Sequence, residues 1–331
     1  MQAALITPPG FLLAVMLSAA MPDVFADPSG QDEMDWLKTM AFAAHQTDYM
    51  GTFVYQYGNH VETSRITHIS DSDGEHGRLE GLDGTQREII HNNNQVWCYL
   101  GDRKVSVENR QSRRIFPALL PQQLMLLKEN YRIKKAEEVR VAGFHTHAFI
   151  FQPRDNLRYT HKMWAHSDSG LLLKAVVLDE RARVIEQYAF TQLTIGGDID
   201  RKWIVPDKSA AGFHSRHGHF DPTHKTYEAA SSGGWQVDSL PLGFLKIMEM
   251  RRPLRGKKTQ ATHLVFSDGL AGISVFIEDM AGNGQINVGL SSQGAIQIYS
   301  KVSGNHLVTV VGEVPPRTII QVTDSVRYRG Q

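Results

Sequence analysis

The chain has 331 residues, of which 41% are hydrophobic, and its 35 basic residues balance its 35 acidic ones. This length is typical of two domains, and the apolar content allows each of them a buried core. The balanced charge argues against a nucleic-acid-binding protein, because such domains are usually clearly basic.

Residues 1–26 have the pattern of a secretory signal peptide. An apolar segment at residues 11–17 is followed by small residues, and Val24-Phe25-Ala26 fits the rule for cleavage after Ala26. The apolar segment is too short to span a bilayer as a helix. Residues 2–10 contain no Lys or Arg, so the usual positive start is missing, and a buried or disordered N-terminal segment is the alternative. We expect an exported protein that is soluble after cleavage near Ala26.

Residues 32–45 are predicted to form an amphipathic helix. Asp32 is a plausible N-cap, and apolar residues recur at helical spacing from Leu37 to Ala44. A second helix is predicted at residues 121–128, with Pro121 in its first turn.

Strand-like segments occupy most of the chain between these helices and residue 205. On the segment 49–57, Phe53 and Tyr55 share one face. The other predicted strands are residues 65–69, 87–91, 96–100, 104–107, 132–141, 146–152, 159–166, 171–178 and 184–193. Because parallel strands need long crossovers and these connections are short, residues 27–205 are predicted to form one large, curved antiparallel sheet.

Residues 206–233 differ in composition. They are rich in His, Gly and Ser and lack apolar periodicity, which predicts a linker. His214, His217 and His219 have a metal-like spacing, since neutral imidazoles bind zinc or copper. No framework of carboxylates or thiols fixes their positions, so a solvated His-rich linker without a metal is the favoured interpretation.

Residues 234–328 are predicted to form a second, smaller domain. Strands are expected at 262–266, 273–278, 296–302 and 306–311. The β-branched residues of 315–326 favour a strand, but Pro315 and the spacing of Ile319, Val322 and Val326 favour a helix, which we predict. The fold class is therefore α+β.

No enzyme motif is present. The chain has no G-x-S-x-G, H-E-x-x-H or G-x-x-x-x-G-K sequence, and its one cysteine, Cys98, is expected to be a small buried residue. We expect no catalysis and no cofactor. A hydrolase whose site is assembled from distant residues is the least favoured hypothesis.

Several long motifs resemble the RseB/MucB family of periplasmic sigma-E factor regulatory proteins. They include YMGTFVY at 49–55, FPALL at 116–120, GLLLK at 170–174, SDGLAGISVFIE at 267–278 and VTVVGEVP at 308–315. The resemblance covers essentially the whole mature chain. One departure is local: the family usually has Pro-Asp after its Cys-Tyr pair, whereas Leu100 and Gly101 follow Cys98 and Tyr99 here. We interpret 267–278 as a turn and a core strand rather than a binding site.

The resemblance implies a fold and a function. The N-terminal domain would be a half-open antiparallel β-barrel with helices, similar to lipoprotein carriers of the LolA/LppX type, and the C-terminal domain a smaller antiparallel sheet with helices. The protein would be a periplasmic negative regulator that binds the periplasmic region of a membrane-spanning anti-sigma factor of the RseA/MucA type. It would shield that region from the protease DegS until a lipid or lipopolysaccharide releases it.

A periplasmic lipid or lipoprotein carrier of the LolA type is the alternative function. The second domain favours the regulator, because a carrier needs only the half-barrel. Homo-oligomer formation is left open by the sequence, and no nucleic-acid partner is expected.

Two groups of residues are candidates for ligand contacts. The first would line a lipid cavity, with ordinary core packing as the alternative for each member: Phe53, Tyr55, Trp97, Leu119, Leu120, Leu124, Leu127 and Trp164. The second is a basic segment suited to lipid phosphates or an acidic partner, with a solvated loop as the alternative: Arg251, Arg252, Arg255, Lys257 and Lys258.

Overall fold

The computed structural model describes residues 28–93, 95–101, 103–106, 115–122, 124–204, 234–253, 260–280 and 288–329. Across these ranges the chain forms a large and a small antiparallel sheet with few helices, which confirms the predicted α+β class. The predicted signal peptide and the predicted His-rich linker lie outside them. None of the helices in these ranges is long and apolar enough to cross a membrane.

Eleven strands form the large sheet. In chain order they are β1 (Tyr49–Tyr57), β2 (His60–Asp71), β3 (Gly74–Gly81), β4 (Arg87–Asn92), β5 (Gln95–Leu100), β6 (Arg103–Ser106), β7 (Tyr131–Val141), β8 (Phe144–Pro153), β9 (Thr160–His166), β10 (Leu172–Leu178) and β11 (Val184–Ile195). Their spatial order is β6-β5-β4-β3-β2-β1-β11-β10-β9-β8-β7. Two meanders therefore meet at the central β1–β11 pair, and no ladder in the described residues joins the edge strands β6 and β7.

The large sheet is strongly curved. β7 and β11 are four strand steps apart, about 19 Å in a flat sheet, yet some of their Cα atoms lie within 8 Å of one another. The helices α1 (Pro28–Gln46) and α2 (Met125–Asn130) contribute to the core of this domain. Leu37 of α1 and Leu127 of α2 are fully buried and belong to one apolar cluster with Phe53 and Phe149.

The small domain has a six-stranded sheet, a helix and a short strand pair. The strands of the sheet are β13 (Leu245–Pro253), β14 (Gln260–Ser267), β15 (Gly272–Asp279), β16 (Gly289–Gln293), β17 (Ile296–Ser303) and β18 (His306–Gly312). Their spatial order is β13-β14-β15-β18-β17-β16. The strand pair is β12 (Trp235–Val237) with β19 (Val326–Tyr328). The helix α3 (Pro316–Asp324) confirms the prediction for 315–326, and its Ile319 and Val322 are fully buried against the sheet.

The predicted starts of the other two helices were wrong. α1 begins at Pro28, so Asp32 lies inside the helix and does not cap it; proline is tolerated there because a first-turn residue has no helical partner for its N–H. α2 begins at Met125, so Pro121 precedes it. Before it, residues 115–119 form tight turns, in which the amide of Ala118 donates to the carbonyl of Ile115.

Some strands were not predicted, chiefly β3 and β13. Part of the segment read as a basic loop is strand: Arg251 and Arg252 belong to β13, opposite Thr262 and Ala261. β13 is an edge strand with charged residues, so it lacks the apolar alternation of a half-buried strand.

Candidate functional site

The turn at 267–271, between β14 and β15, is organised by its own side chains. Asp268 accepts hydrogen bonds at Oδ1 from the amides of Leu270 (2.9 Å) and Ala271 (2.8 Å). Ser267 accepts one from the amide of Gly269 and donates one to the carbonyl of Ala271. Gly269 has a φ of 100°, which a side chain would strain. These bonds use only one of the two oxygens of Asp268.

The second oxygen of Asp268 joins the small domain to the large one. Asp268 is fully buried, and its Oδ2 accepts from Arg158 Nε at 2.5 Å and from the Tyr131 hydroxyl at 2.9 Å. The amide side chain of Asn130 donates to the Asp268 carbonyl at 3.2 Å. Arg158 is also buried and pairs with Asp155 of its own domain. The buried cation of the large domain is therefore paired with one carboxylate from each domain.

The electrostatics of this contact are those of a desolvated ion pair. Burial, followed by the negative charge of Asp268, raises the pKa of Tyr131 well above its usual value, so the phenol stays neutral and donates. Burial acts to lower the pKa of Arg158, but its hydrogen bond and attraction to Asp268 outweigh burial and raise it. Arg158 therefore stays cationic, and separation of the domains would break its charge-assisted hydrogen bond to Asp268.

A second buried contact lies at the turn between β16 and β17. Glu186 of β11 accepts from the Tyr55 hydroxyl (3.1 Å) and from the amide of Ala295 (2.9 Å). Burial raises the pKa of Glu186. Gly294 has a φ of 60°, and a Cβ on it would lie 2.5 Å from Glu186 Oε2. Glycine is therefore needed both for the turn and for the close approach of the two domains.

Apolar and neutral polar contacts extend this junction. Leu270 of the small domain is a buried member of the large domain's core cluster. A Cβ on Gly243 would lie 1.9 Å from Asn130 Oδ1, so the 241–244 loop also approaches α2 closely. Thr318 of α3 donates to the Leu157 carbonyl at 2.9 Å. We call the contacts made by the 267–271 and 293–295 turns the domain junction.

Most of the predicted lipid-cavity residues lie together, but they pack as core. Phe53, Leu120, Leu124 and Leu127 are buried in the large cluster, and Leu119 packs against it. Phe53 lies 5.0 Å, between ring centroids, from Phe116 of the turn segment that covers this face. Phe116 and Leu127 of α2 therefore belong to the same core cluster as Phe53.

The remaining three cavity candidates are elsewhere. Tyr55 is partly buried, and its hydroxyl donates to Glu186 at the domain junction. Trp97 is half-buried on β5, next to the edge strand β6. Trp164 belongs to a separate cluster with Ala148, because its neighbour Met163 takes the core face and successive strand residues point to opposite faces.

The basic candidates are only partly described. Arg251 is exposed on β13, and the guanidinium of Arg252 lies 5.7 Å from the ring centroid of Phe276. Arg255, Lys257 and Lys258 lie outside the described residues, as do His214, His217 and His219.

The sequence did not reveal the domain junction. Asp268 was interpreted as part of a turn in the small domain, and its partner Arg158 lies 110 residues earlier in the chain. Spacing cannot show that such residues meet. The available signal was the Ser-Asp-Gly turn followed by a strand, which marks an exposed turn as readily as a docked one.

Two domain families match this chain along nearly its full length. Residues 32–208 match the MucB/RseB N-terminal domain and residues 229–327 match the MucB/RseB C-terminal domain. The sigma factor AlgU regulatory protein MucB of Pseudomonas aeruginosa is 31% identical over 304 residues, which are 89% of this chain and 91% of that protein. The sigma-E factor regulatory protein RseB of Haemophilus influenzae is 26% identical over 296 residues, with 88% and 90% coverage.

Solved structures agree with these sequence matches. MucB in complex with MucA(peri) is 27% identical, with a TM-score of 0.68 over 90% of this chain and 99% of the other. The Pseudomonas aeruginosa MucA/MucB complex is also 27% identical, with a TM-score of 0.71 over 91% and 100%. The match spans both domains, and the chain belongs to the MucB/RseB family.

Proposed function

We propose that this protein is a periplasmic negative regulator of an extracytoplasmic sigma factor. It would bind the periplasmic region of a membrane-spanning anti-sigma factor of the RseA/MucA type and shield it from DegS-type proteolysis. One observation carries the proposal: both domains match MucB, a sigma factor regulatory protein whose solved structures include complexes with MucA. The signal peptide would direct export and be cleaved near Ala26, and the predicted linker, residues 206–233, would separate the two domains.

The domain junction supports a role in regulation. A ligand changes partner binding only if the free and partner-bound states have different affinities for it. In this chain the large and small sheets are held in one arrangement by two buried carboxylates, Asp268 and Glu186. We propose that opening of this junction supplies the second state.

The signal would be a lipid or a lipopolysaccharide. We propose that its acyl chains enter the face lined by Phe53, Leu120, Leu124 and Leu127 by displacing the segment that carries Phe116. The anionic headgroup would contact Arg251 and Arg252, with Arg255, Lys257 and Lys258 beside them. A carrier function of the LolA type is the alternative, and it would require lipid to be retained on purification.

Calorimetry with the purified periplasmic region of the cognate anti-sigma factor tests the central proposal. We expect binding at micromolar protein and protection of that region from a DegS-type protease. No binding at that concentration would refute the regulator. Addition of lipopolysaccharide to the complex should then release the partner, and an unchanged complex would refute lipid sensing alone.

Charge reversal tests the basic segment separately. Arg251→Glu should weaken binding of the anionic ligand or partner, because the side chain is exposed and its charge is inverted. Arg181→Glu is the matched control, since Arg181 is exposed in the large domain. Equal binding by both variants would exclude Arg251 from the contact. Native mass spectrometry of the purified protein would separate a lipid-filled carrier from a regulator that binds lipid only transiently.

A further inference from the structure

Four residues form a lateral row across strands β1 to β4. Tyr49 lies opposite His68, His68 opposite Gly77, and Gly77 opposite His91. Residues directly opposite one another project from the same face of a sheet. Because Gly77 has no side chain, the two imidazoles approach one another above it: a Cβ on Gly77 would lie 2.1 Å from His91 Nε2. The ring centroids of His68 and His91 are 5.9 Å apart.

A carboxylate joins the two imidazoles. Glu75 precedes Gly77 by two residues on β3 and so shares its face. Its Oε1 lies 3.2 Å from His68 Nε2 and 3.1 Å from Nδ1 of His45, near the end of α1. One potential metal-binding atom each from His68, Glu75 and His91 lies within 4.8 Å of the others. The cluster thus combines two imidazoles, a carboxylate and a third imidazole at its edge.

The hydrogen bonds of His68 leave it suited to bind a cation. Its Nδ1 lies 2.8 Å from the Thr47 carbonyl oxygen, which can only accept, so Nδ1 carries a proton. In a neutral imidazole the Nε2 lone pair then faces the Glu75 carboxylate, and the two groups repel one another. A cation between them would replace this repulsion with one bond to Nε2 and one to the carboxylate oxygen. Metal-binding histidines commonly donate their other N–H to a backbone carbonyl in this way. The His68 ring is buried and stacks on Tyr49, which restricts its orientation.

We propose that His68, Glu75 and His91 form a binding site for a divalent transition metal ion, with Zn²⁺ as the best match. Zinc prefers imidazole and carboxylate ligands at about 2.0–2.2 Å in a tetrahedral arrangement, which places neighbouring ligand atoms about 3.3 Å apart. The His68–Glu75 separation already has this value. Water or His45 takes the fourth position. The site goes beyond the proposed regulatory function and is separate from the His-rich segment of residues 206–233.

Zinc titration of the metal-free full-length chain tests the site. Competition with a chromogenic chelator gives the affinity and the number of ions bound. His214, His217, His219 and His224 are replaced by Gln in every variant, so that binding by this His-rich segment does not contribute. We expect one ion per chain, bound more weakly by about 100-fold or more in Glu75→Gln and in His91→Gln, since loss of an outer-shell partner alone costs about 10–100-fold and each variant removes a ligand. Both residues are partly exposed, so these variants are less disruptive than a change at the buried His68.

His60→Gln is the matched control. His60 lies on the same strand as His68 and 2.8 Å from Glu62, so it is another His–Glu pair, but it is outside the cluster. Its replacement should leave zinc affinity unchanged. In a chain that keeps Glu75, His68 and His91, ¹⁵N NMR should show that Zn²⁺ shifts the imidazole nitrogen resonances of His68 and His91. Absence of stoichiometric binding, equal affinity in Glu75→Gln and His60→Gln, or unshifted His68 and His91 resonances would overturn the proposal and leave a hydrogen-bonded His–Glu network.

Discussion

Replacement of Asp268 by Asn should strongly destabilise the protein, although it changes one atom. The Asn oxygen can keep the two turn bonds to Leu270 and Ala271, so the turn itself is preserved. Its NH₂ group, however, would face Arg158 Nε, now 2.5 Å from the Asp268 oxygen, and both groups are donors. The Tyr131 hydroxyl can rotate and accept, but the guanidinium cannot.

The magnitude follows from the burial of this pair. Asp268 is fully buried and Arg158 is 3% exposed, so the guanidinium left behind has little access to water. Removal of one partner from a buried ion pair typically costs about 3–5 kcal/mol. Because Asp155 still pairs with Arg158, we expect a cost at the lower end of this range. Asp238→Asn is the matched control, because Asp238 pairs with Arg329 at 2.9 Å on the surface, where such a pair contributes about 1 kcal/mol or less.

Urea unfolding followed by circular dichroism measures both changes. A double variant, Asp268→Asn with Arg158→Met, removes the contact between two hydrogen-bond donors and should recover part of the loss. If Asp268→Asn cost no more than Asp238→Asn, the junction would not be held by this ion pair, and the electrostatic argument for coupled domains would fail.

Three further changes test other parts of the structure. Burial and then the nearby Arg252 lower the pKa of His263 to about 4, below its ordinary 6.5. As the pH falls, the unfolded chain therefore binds a proton at His263 before the folded protein does, and stability should fall by up to about 3 kcal/mol between pH 6.5 and 4. Urea unfolding should show a flatter pH dependence of stability for His263→Gln, and an equal slope would exclude His263 as the source. Gly294→Ala should cost about 1–3 kcal/mol more than Gly304→Ala, because both glycines have positive φ but only Gly294 also lacks room for a Cβ; similar melting temperatures for the two variants would contradict a tight interdomain contact. Leu127→Ala should cost about 2–5 kcal/mol in urea unfolding, and a cost as small as that of the 71% exposed Met125→Ala would show that α2 is not packed as described.

The sequence predicted most of the strands and the two-sheet organisation, because alternation and turn residues are local signals. The central segment 49–57 is strand, as its alternation indicated, and Phe53 is in the core. The pattern of apolar and polar residues was a weaker signal for strands at the edge of a sheet. β13 was missed because an edge strand can carry charges such as Arg251 without the apolar alternation of a half-buried strand.

The candidate site was harder to predict, because it depends on residues that are far apart in the chain. The cavity candidates were chosen as apolar residues, yet alternation places Trp164 on the face opposite its core neighbour Met163. The segment 267–278 was interpreted as a turn and core strand of the small domain. The strand is in that core, but the turn is docked on the other domain through Asp268.

By itself, the sequence determined the α+β class, the antiparallel pairing and the resemblance to the MucB/RseB family, since periodicity, loop length and ordered motifs are all readable along the chain. Only the tertiary structure decided which groups meet. It brings Asp268 to Arg158 and places His68 and His91 on either side of a glycine. The physical reason is that the role of a buried charge or of a pair of imidazoles depends on the groups within a few ångströms of it. The sequence separation of two residues does not determine the distance between them in the folded protein.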